Sequence, residues 1–215
     1  MRCAWPAHAG DDVKEGIRSA VRAAVPSGRA AEIIAFEVAV MWYALLWWRA
    51  RSATGEGAGS FTYHRKTGYG AVVAALLLAL AVEITPIHAL LARWSATFAW
   101  IVTALSLYGV LWLIGDLRAI QLRPIVLRSD RLIVRFGLRW TLTVPLRQIE
   151  SVRLIGGAIV HDRMDLRLAL PGARRLSILL KEPVEASGVY GLRRRVQAFE
   201  LGVDDPERLL KTLAL

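Results

Sequence analysis

A chain of 215 residues with 55% hydrophobic side chains, 21% charged ones and a net charge of +10 has a mean hydropathy of +0.39, which favours a small folded domain joined to a membrane anchor over one ordinary soluble domain. Its single cysteine, Cys3, excludes an intrachain disulfide and a thiolate metal cluster. The charges are segregated: residues 1–117 hold 10 Lys and Arg against 8 Asp and Glu, whereas residues 118–215 hold 18 against 10.

Residues 1–30 form an N-terminal amphipathic segment. Met1–His8 lacks the apolar core of a signal peptide, so insertion falls to the internal apolar runs. Asp11–Val25 predicts a short helix, with Asp11 and Asp12 placed to cap it and Val13, Ile17, Val21 and Val25 at helical spacing. Pro26-Ser27-Gly28 stops it. Lys14, Arg18 and Arg22 suit either a helix lying on headgroups or a plain packing helix.

Residues 31–117 carry three apolar runs, about 33–49, 71–92 and 96–115, read as three transmembrane spans. A span needs about 20 residues at 1.5 Å rise; the second and third runs meet this, and the first is short and contains Glu37. Trp47, Trp48, Tyr63, Tyr69, Trp94 and Trp112 stand where interfacial aromatic belts would. Gly55–Gly59 reads as a flexible linker. Only Arg93-Trp94-Ser95 separates the last two runs, so they form a tight antiparallel hairpin. Arg49, Arg51, Arg65 and Lys66 in the first loop, and Arg118, Arg123 and Arg128 after the third run, place both on the cytoplasmic side. Three spans then put the N-terminus outside, against the pull of Lys14, Arg18, Arg22 and Arg29. A re-entrant or interfacial first run would keep the tail inside. The expected location is the inner (plasma) membrane, multi-pass, with the C-terminal domain cytoplasmic.

Beyond Pro124 the period changes to two. Ile125–Arg128 and Arg131–Phe136 read as strands joined at Ser129-Asp130, and Arg139–Val144 follows a turn at Gly137-Leu138. Leu132, Val134 and Phe136 share one face, as do Trp140, Leu142 and Val144. Further strands are expected at Ser151–Ile155, Arg163–Leu170, Arg175–Leu180 and Arg194–Leu201, with Lys181–Gly191 irregular. Asp204-Asp205-Pro206-Glu207 opens a last helix with Leu209, Leu210 and Leu213 as its buried stripe.

Seven strands and a terminal helix are the layout of a pleckstrin-homology barrel. The run from Ile125 to Leu138, then Val144–Val152, and the closing Phe199–Leu210 resemble the membrane-anchored bacterial PH-like domain proteins over residues 118–215. The resemblance implies an α+β membrane protein, with transmembrane helices followed by a PH-like seven-stranded β-barrel and a C-terminal helix, and no settled activity. Phosphoinositide-binding PH domains carry a longer basic loop between the first two strands. Here that loop shrinks to Ser129-Asp130, so no deep headgroup pocket is expected there.

No catalytic motif accompanies this layout. Glu37, Glu83 and His88 are ionisable groups within apolar runs, where each costs at least about 2.5 kcal/mol, so they are candidates for function. Thr103 and Ser106 offer a weakly polar stripe for span two to pack on. Glu83 and His88, with Glu37 or His64, could handle protons or a metal, or Glu83 and His88 could serve only as polar glue between helices. No HxxxH or HExxH spacing is present, and no metal, catalytic residue or cofactor is assigned. Arg118, Arg123, Arg128 and Arg131 are lipid-contact candidates because they follow the last span, and Arg193, Arg194 and Arg195 because they are the densest basic run. The expected function is a non-enzymatic membrane scaffold that contacts anionic lipid headgroups and a protein partner or a second copy of itself, with no role for nucleic acid. The alternatives are a small transporter or membrane enzyme using Glu83 and His88, and an accessory subunit of a larger membrane complex.

Overall fold

The computed structural model describes residues 12–49, 59–155 and 165–213; Cys3, Arg51, most of Gly55–Gly59, Arg163 and Met164 lie outside them. Helices α1 (Val13–Ala24) and α2 (Gly28–Leu45) lead the chain. Asp12 caps α1 by accepting a hydrogen bond from the Lys14 amide at 3.2 Å. Glu15 in the first turn and Arg22 in the last complement the helix dipole. Ile17, with Val13 and Val21 beside it, packs on Ala35, Phe36, Ala39 and Val40 of α2.

Strand β1 (Gly59–Phe61) comes next and pairs antiparallel with β2 (Ile125–Leu127), Phe61 opposite Ile125. The connection between the first two apolar runs therefore contributes an edge strand. The sheet's core also takes in Phe61, Tyr63 and Ile120, so it is not confined to residues 118–215.

Helices α3 (Tyr69–Ala92) and α4 (Ala96–Leu122) form the tight hairpin, and Ser95 caps α4 through the Phe98 amide at 3.3 Å. Among the described residues, two helices are long and apolar enough to cross a membrane, α3 and α4, and their apolar stretches are only 6% and 11% buried. The first run, expected as a third span, is α2, which is not among them. One face of α2 is covered by α1 and α4, and the segments before and after it, Asp12 and β1, are both bound to the sheet.

The remaining strands are β3 (Arg131–Phe136), β4 (Trp140–Pro145), β5 (Ile149–Ile155), β6 (Leu166–Leu168), β7 (Arg174–Ser187) and β8 (Arg193–Val203), followed by α5 (Pro206–Leu213). They form one open, mixed eight-stranded sheet in the order β1-β2-β3-β4-β7-β8-β6, with β5 also on β7. The only parallel pair among the described strands is β6 with β8. The long strand β7 curls the sheet: its first half pairs with β5 and its second half with β4. Between the halves the β7–β8 register shifts, from Leu179 to Val184. Pro183 sits in that shift, where a missing N–H is tolerated. The stretch Lys181–Ser187, expected to be irregular, is thus strand with a bulge.

Inside the curl, Leu132, Val134, Phe136, Leu142 and Val144 meet Leu176, Ile178, Leu180, Phe199 and Leu201, all buried. Leu209 of α5 is buried against them, with Leu210 and Leu213 partly so. Gly137 takes the positive φ (51°) that its turn position requires.

Candidate functional site

Two turns make the end of the sheet that meets the helices. The β3–β4 turn brings Gly137 against Ile120 and Asp116, where a Cβ would sit tightly, 3.0 and 3.1 Å from their side chains. In the β7–β8 turn, Gly188 packs on Trp140, and Gly191 packs on Glu32 of α2. Between these turns and the helices lie two buried polar clusters and a third that is half-exposed.

The first is centred on Asp12, which is 5% exposed. Arg123, fully buried at the end of α4, donates from Nε to both Asp12 carboxylate oxygens at 3.1 and 3.2 Å and from its NH2 group at 2.5 Å. It also bonds the Gly137 carbonyl. Arg135 of β3 closes on the same carboxylate at 3.3 Å. Burial raises the Asp12 pKa, but the two guanidiniums outweigh it and hold the carboxyl below its ordinary range. Lys14 Nζ donates to the Leu138 carbonyl at 2.9 Å. Burial, with Arg123 nearby, pushes that amine down to about 7. One carboxylate thus ties α1, α4 and the sheet together.

The second is centred on Asp116, 1% exposed. The Tyr69 hydroxyl donates to it at 2.8 Å and Arg139 at 2.7 Å. This joins the first residue of α3, the last turns of α4 and the β3–β4 turn. Its second oxygen, Oδ1, has no partner among the described residues.

The third holds Glu37, which sits on α2 between two hydroxyls: Tyr108 of α4 at 2.5 Å and Tyr190 of the β7–β8 turn at 3.1 Å. Tyr190 takes a positive φ (53°), strained for a bulky residue. Its ring is held edge-on to Phe36, 4.7 Å between centroids. Nearby, Arg18 and Arg22 both bond Glu32, so they are turned to α2 and not toward headgroups.

Inside the hairpin, His88 Nδ1 lies 2.7 Å from Thr103 Oγ1 and its ring packs edge-on to Trp100. Ser106 bonds the Val102 carbonyl of its own helix. Glu83 is exposed on the outer side of α3 and has no bonding partner among the described residues. Glu83 and His88 are therefore not brought to a common site. Asp204, whose part in opening α5 was expected, instead accepts from the Arg65 and Lys66 amides at 3.1 and 2.9 Å and fastens the loop before α3.

The arginines separate by place. Arg123, expected at headgroups, is a buried ion-pair partner; sequence nearness to the span puts it at the junction and not at the surface. Arg131 is exposed and paired with Asp130, and Arg128 is half-buried beside it. Both lie at the far end of β3, about 17 Å of strand from the Gly137 turn at ~3.3 Å per residue. Arg118 stacks over the Trp47 ring, 4.1 Å from its centroid. Arg193, Arg194 and Arg195 are exposed and begin β8 directly after the turn that packs on α2.

Chemically this is a lock. Asp12 and Glu37 are saturated by guanidiniums and hydroxyls, and no nucleophile with an adjacent base accompanies them among the described residues. None of the described His, Cys, Asp and Glu side chains gather in threes as a metal ion would need. Reading the sequence missed the Asp12–Arg123 pair, the Asp116 cluster and Tyr190. Asp116 alone carried a signal, as the single acid ending an uncharged apolar run. Comparison with known protein families, curated proteins and solved structures finds no match to this chain.

Proposed function

We propose that this chain is a non-enzymatic integral membrane scaffold, anchored by the α3–α4 hairpin, that presents a PH-like sheet domain on the cytoplasmic face to a protein partner. One observation carries the reading: two long apolar helices have few fully buried residues along their apolar stretches, yet their ends nearest the sheet are welded to it through Asp12–Arg123 and the Asp116 cluster. A welded junction transmits the position of the anchor to the sheet, which suits a platform better than a catalyst. The basic excess of residues 118–215 supports a cytoplasmic sheet. In this reading the hairpin is the only crossing among the described residues, and the N-terminal helix, held to the sheet through Asp12, shares the sheet's side.

Glu83 favours a second reading on its own account. An uncovered carboxyl near the middle of a span is costly in lipid, and a neighbouring membrane subunit with a polar group at that depth would relieve it. Gentle detergent extraction followed by mass measurement tests both. The scaffold reading expects a stoichiometric complex, with a partner or a second copy, that survives Glu83→Gln. A monomer under the mildest extraction would remove the assembly role, and loss of the complex in Glu83→Gln would move the partner contact into the membrane.

A further inference from the structure

α2 runs along α4 and brings its C-terminal end to the root of that helix. Glu37 meets Tyr108, Val40 lies against Gly115, Tyr43 lies near Arg123, and Trp47, just past the end of α2, lies against Arg118. Trp47 and Trp48 are 37% and 64% exposed and stand edge to face, 6.3 Å between ring centroids. Exposed Arg49 closes the same short turn. Leu45, 50% exposed, precedes the turn and adds an apolar surface to it.

Arg118 is held by its face. Its guanidinium carbon stands 4.1 Å from the centroid of the Trp47 ring, a cation–π contact, and its NH1 group donates to Gln121 Oε1 at 3.0 Å. Stacking occupies the flat of the guanidinium and leaves its edge, where the N–H donors point. Among the described residues, Gln121 takes the one side-chain hydrogen bond that this edge makes, and no carboxylate pairs with it. The result is a half-buried cation, oriented by two partners and neutralised by neither. Paired donors on the edge of an arginine match two oxygens of a phosphate.

Depth says which phosphate. Arg118 follows the first residue of α4 by 22 positions, about 33 Å at ~1.5 Å per residue. The hydrocarbon layer takes up ~30 Å, so with the α3–α4 turn at one boundary Arg118 lies just beyond the other, among headgroups. Tryptophans such as Trp47 and Trp48 favour that layer. We propose that Arg118, oriented by Trp47 and Gln121 and joined by Arg49 from the Trp47 turn, holds the phosphate of an anionic phospholipid. A zwitterionic headgroup suits the place less well, because its own cation would meet two arginines. The proposal rests on the reading that α3 and α4 span.

Native mass spectrometry of the full chain tests it, in mild detergent with added dioleoylphosphatidylglycerol or dioleoylphosphatidylcholine, by counting the lipid retained. Wild type is expected to keep phosphatidylglycerol in preference to phosphatidylcholine. Arg118→Gln and Trp47→Leu should each cut that preference about fivefold, equivalent to the ~1 kcal/mol that one basic residue gains near an anionic surface. Arg131→Gln, at the far end of β3, should leave it unchanged, and excess glycerol phosphate should not displace the lipid. Equal retention of the two lipids by wild type, or an undiminished preference in Arg118→Gln and Trp47→Leu, overturns the headgroup site. Displacement by glycerol phosphate makes the ligand a soluble phosphate and overturns the lipid. Alkaline carbonate washing of vesicles that carry the chain separates the two readings. Release of the chain overturns the anchor, whereas a chain that stays in the vesicles without a lipid preference overturns the headgroup site alone.

Discussion

Asp12 is the residue on which the junction turns, because its carboxylate receives both Arg123 and Arg135. Replacing it by Asn takes the carboxylate from the fully buried Arg123 guanidinium, a change that costs about 3–5 kcal/mol. Thermal unfolding in detergent should show that loss for Asp12→Asn. Arg123→Met should cost less than Asp12→Asn, because Arg135 remains to pair with the carboxylate. Lys14 adds a pH dependence with a definite sign. Its amine sits at about 7 in the fold against an ordinary 10.5, so between those values the unfolded chain binds the extra proton and stability rises with pH. Wild type should therefore gain stability from pH 7 upward relative to Lys14→Met, in which that slope is absent; parallel pH profiles would contradict the burial of the amine. His88 is a smaller matter. Its bond to Thr103 is an interhelical contact of the kind worth about 0.6 kcal/mol, so His88→Ala should lower the hairpin's stability slightly and leave assembly intact.

At the scale of elements, α2 depends on one close approach. Gly115→Val would drive a side chain into the Val40 backbone, and overpacking of this sort costs about 1–3 kcal/mol. Protease protection of α2 in vesicles should fall in that variant while α3 stays protected; unchanged protection would contradict that contact. Elements were legible where a local period ran unbroken. The α3–α4 hairpin, the α1 cap at Asp12, and the alternation of Leu132–Val134–Phe136 against Leu142–Val144 follow from neighbours in the chain. The first apolar run was misleading because apolarity on both faces reads as lipid exposure, while half of it is packing against α1 and α4. Strand β1 was hidden in a glycine-rich stretch whose three paired residues gain their structure from β2, more than 60 positions later. Pro183 disguised β7 as a loop, since a bulge that accommodates proline is decided by its neighbours β5, β4 and β8.

For the whole molecule, the same limit explains the site. Ion pairs such as Asp12–Arg123, 111 positions apart, and the Tyr69–Asp116–Arg139 cluster join elements that only the finished fold brings together. A basic residue just after a span looks like a headgroup ligand from sequence alone. Arg123 shows the other outcome, and Arg128 and Arg131 are carried off by a strand that leads away from the helices. What emerges is a hairpin with its root locked into a curled sheet, and with α1 and α2 gathered on that same root. Under the proposed anchoring, the lock puts α1 and the sheet on one side of the membrane and Trp94 at the tip on the other. Cysteine labelling with a membrane-impermeant reagent in intact and inverted vesicles, using Arg22→Cys, Trp94→Cys and Arg131→Cys in Cys3→Ser chains, tests this most directly. The expected result is that 22 and 131 label together from one side and 94 only from the opposite side. Labelling of 22 from the side opposite to 131 would contradict the two-span anchor and the buried Asp12–Arg123 pair at once.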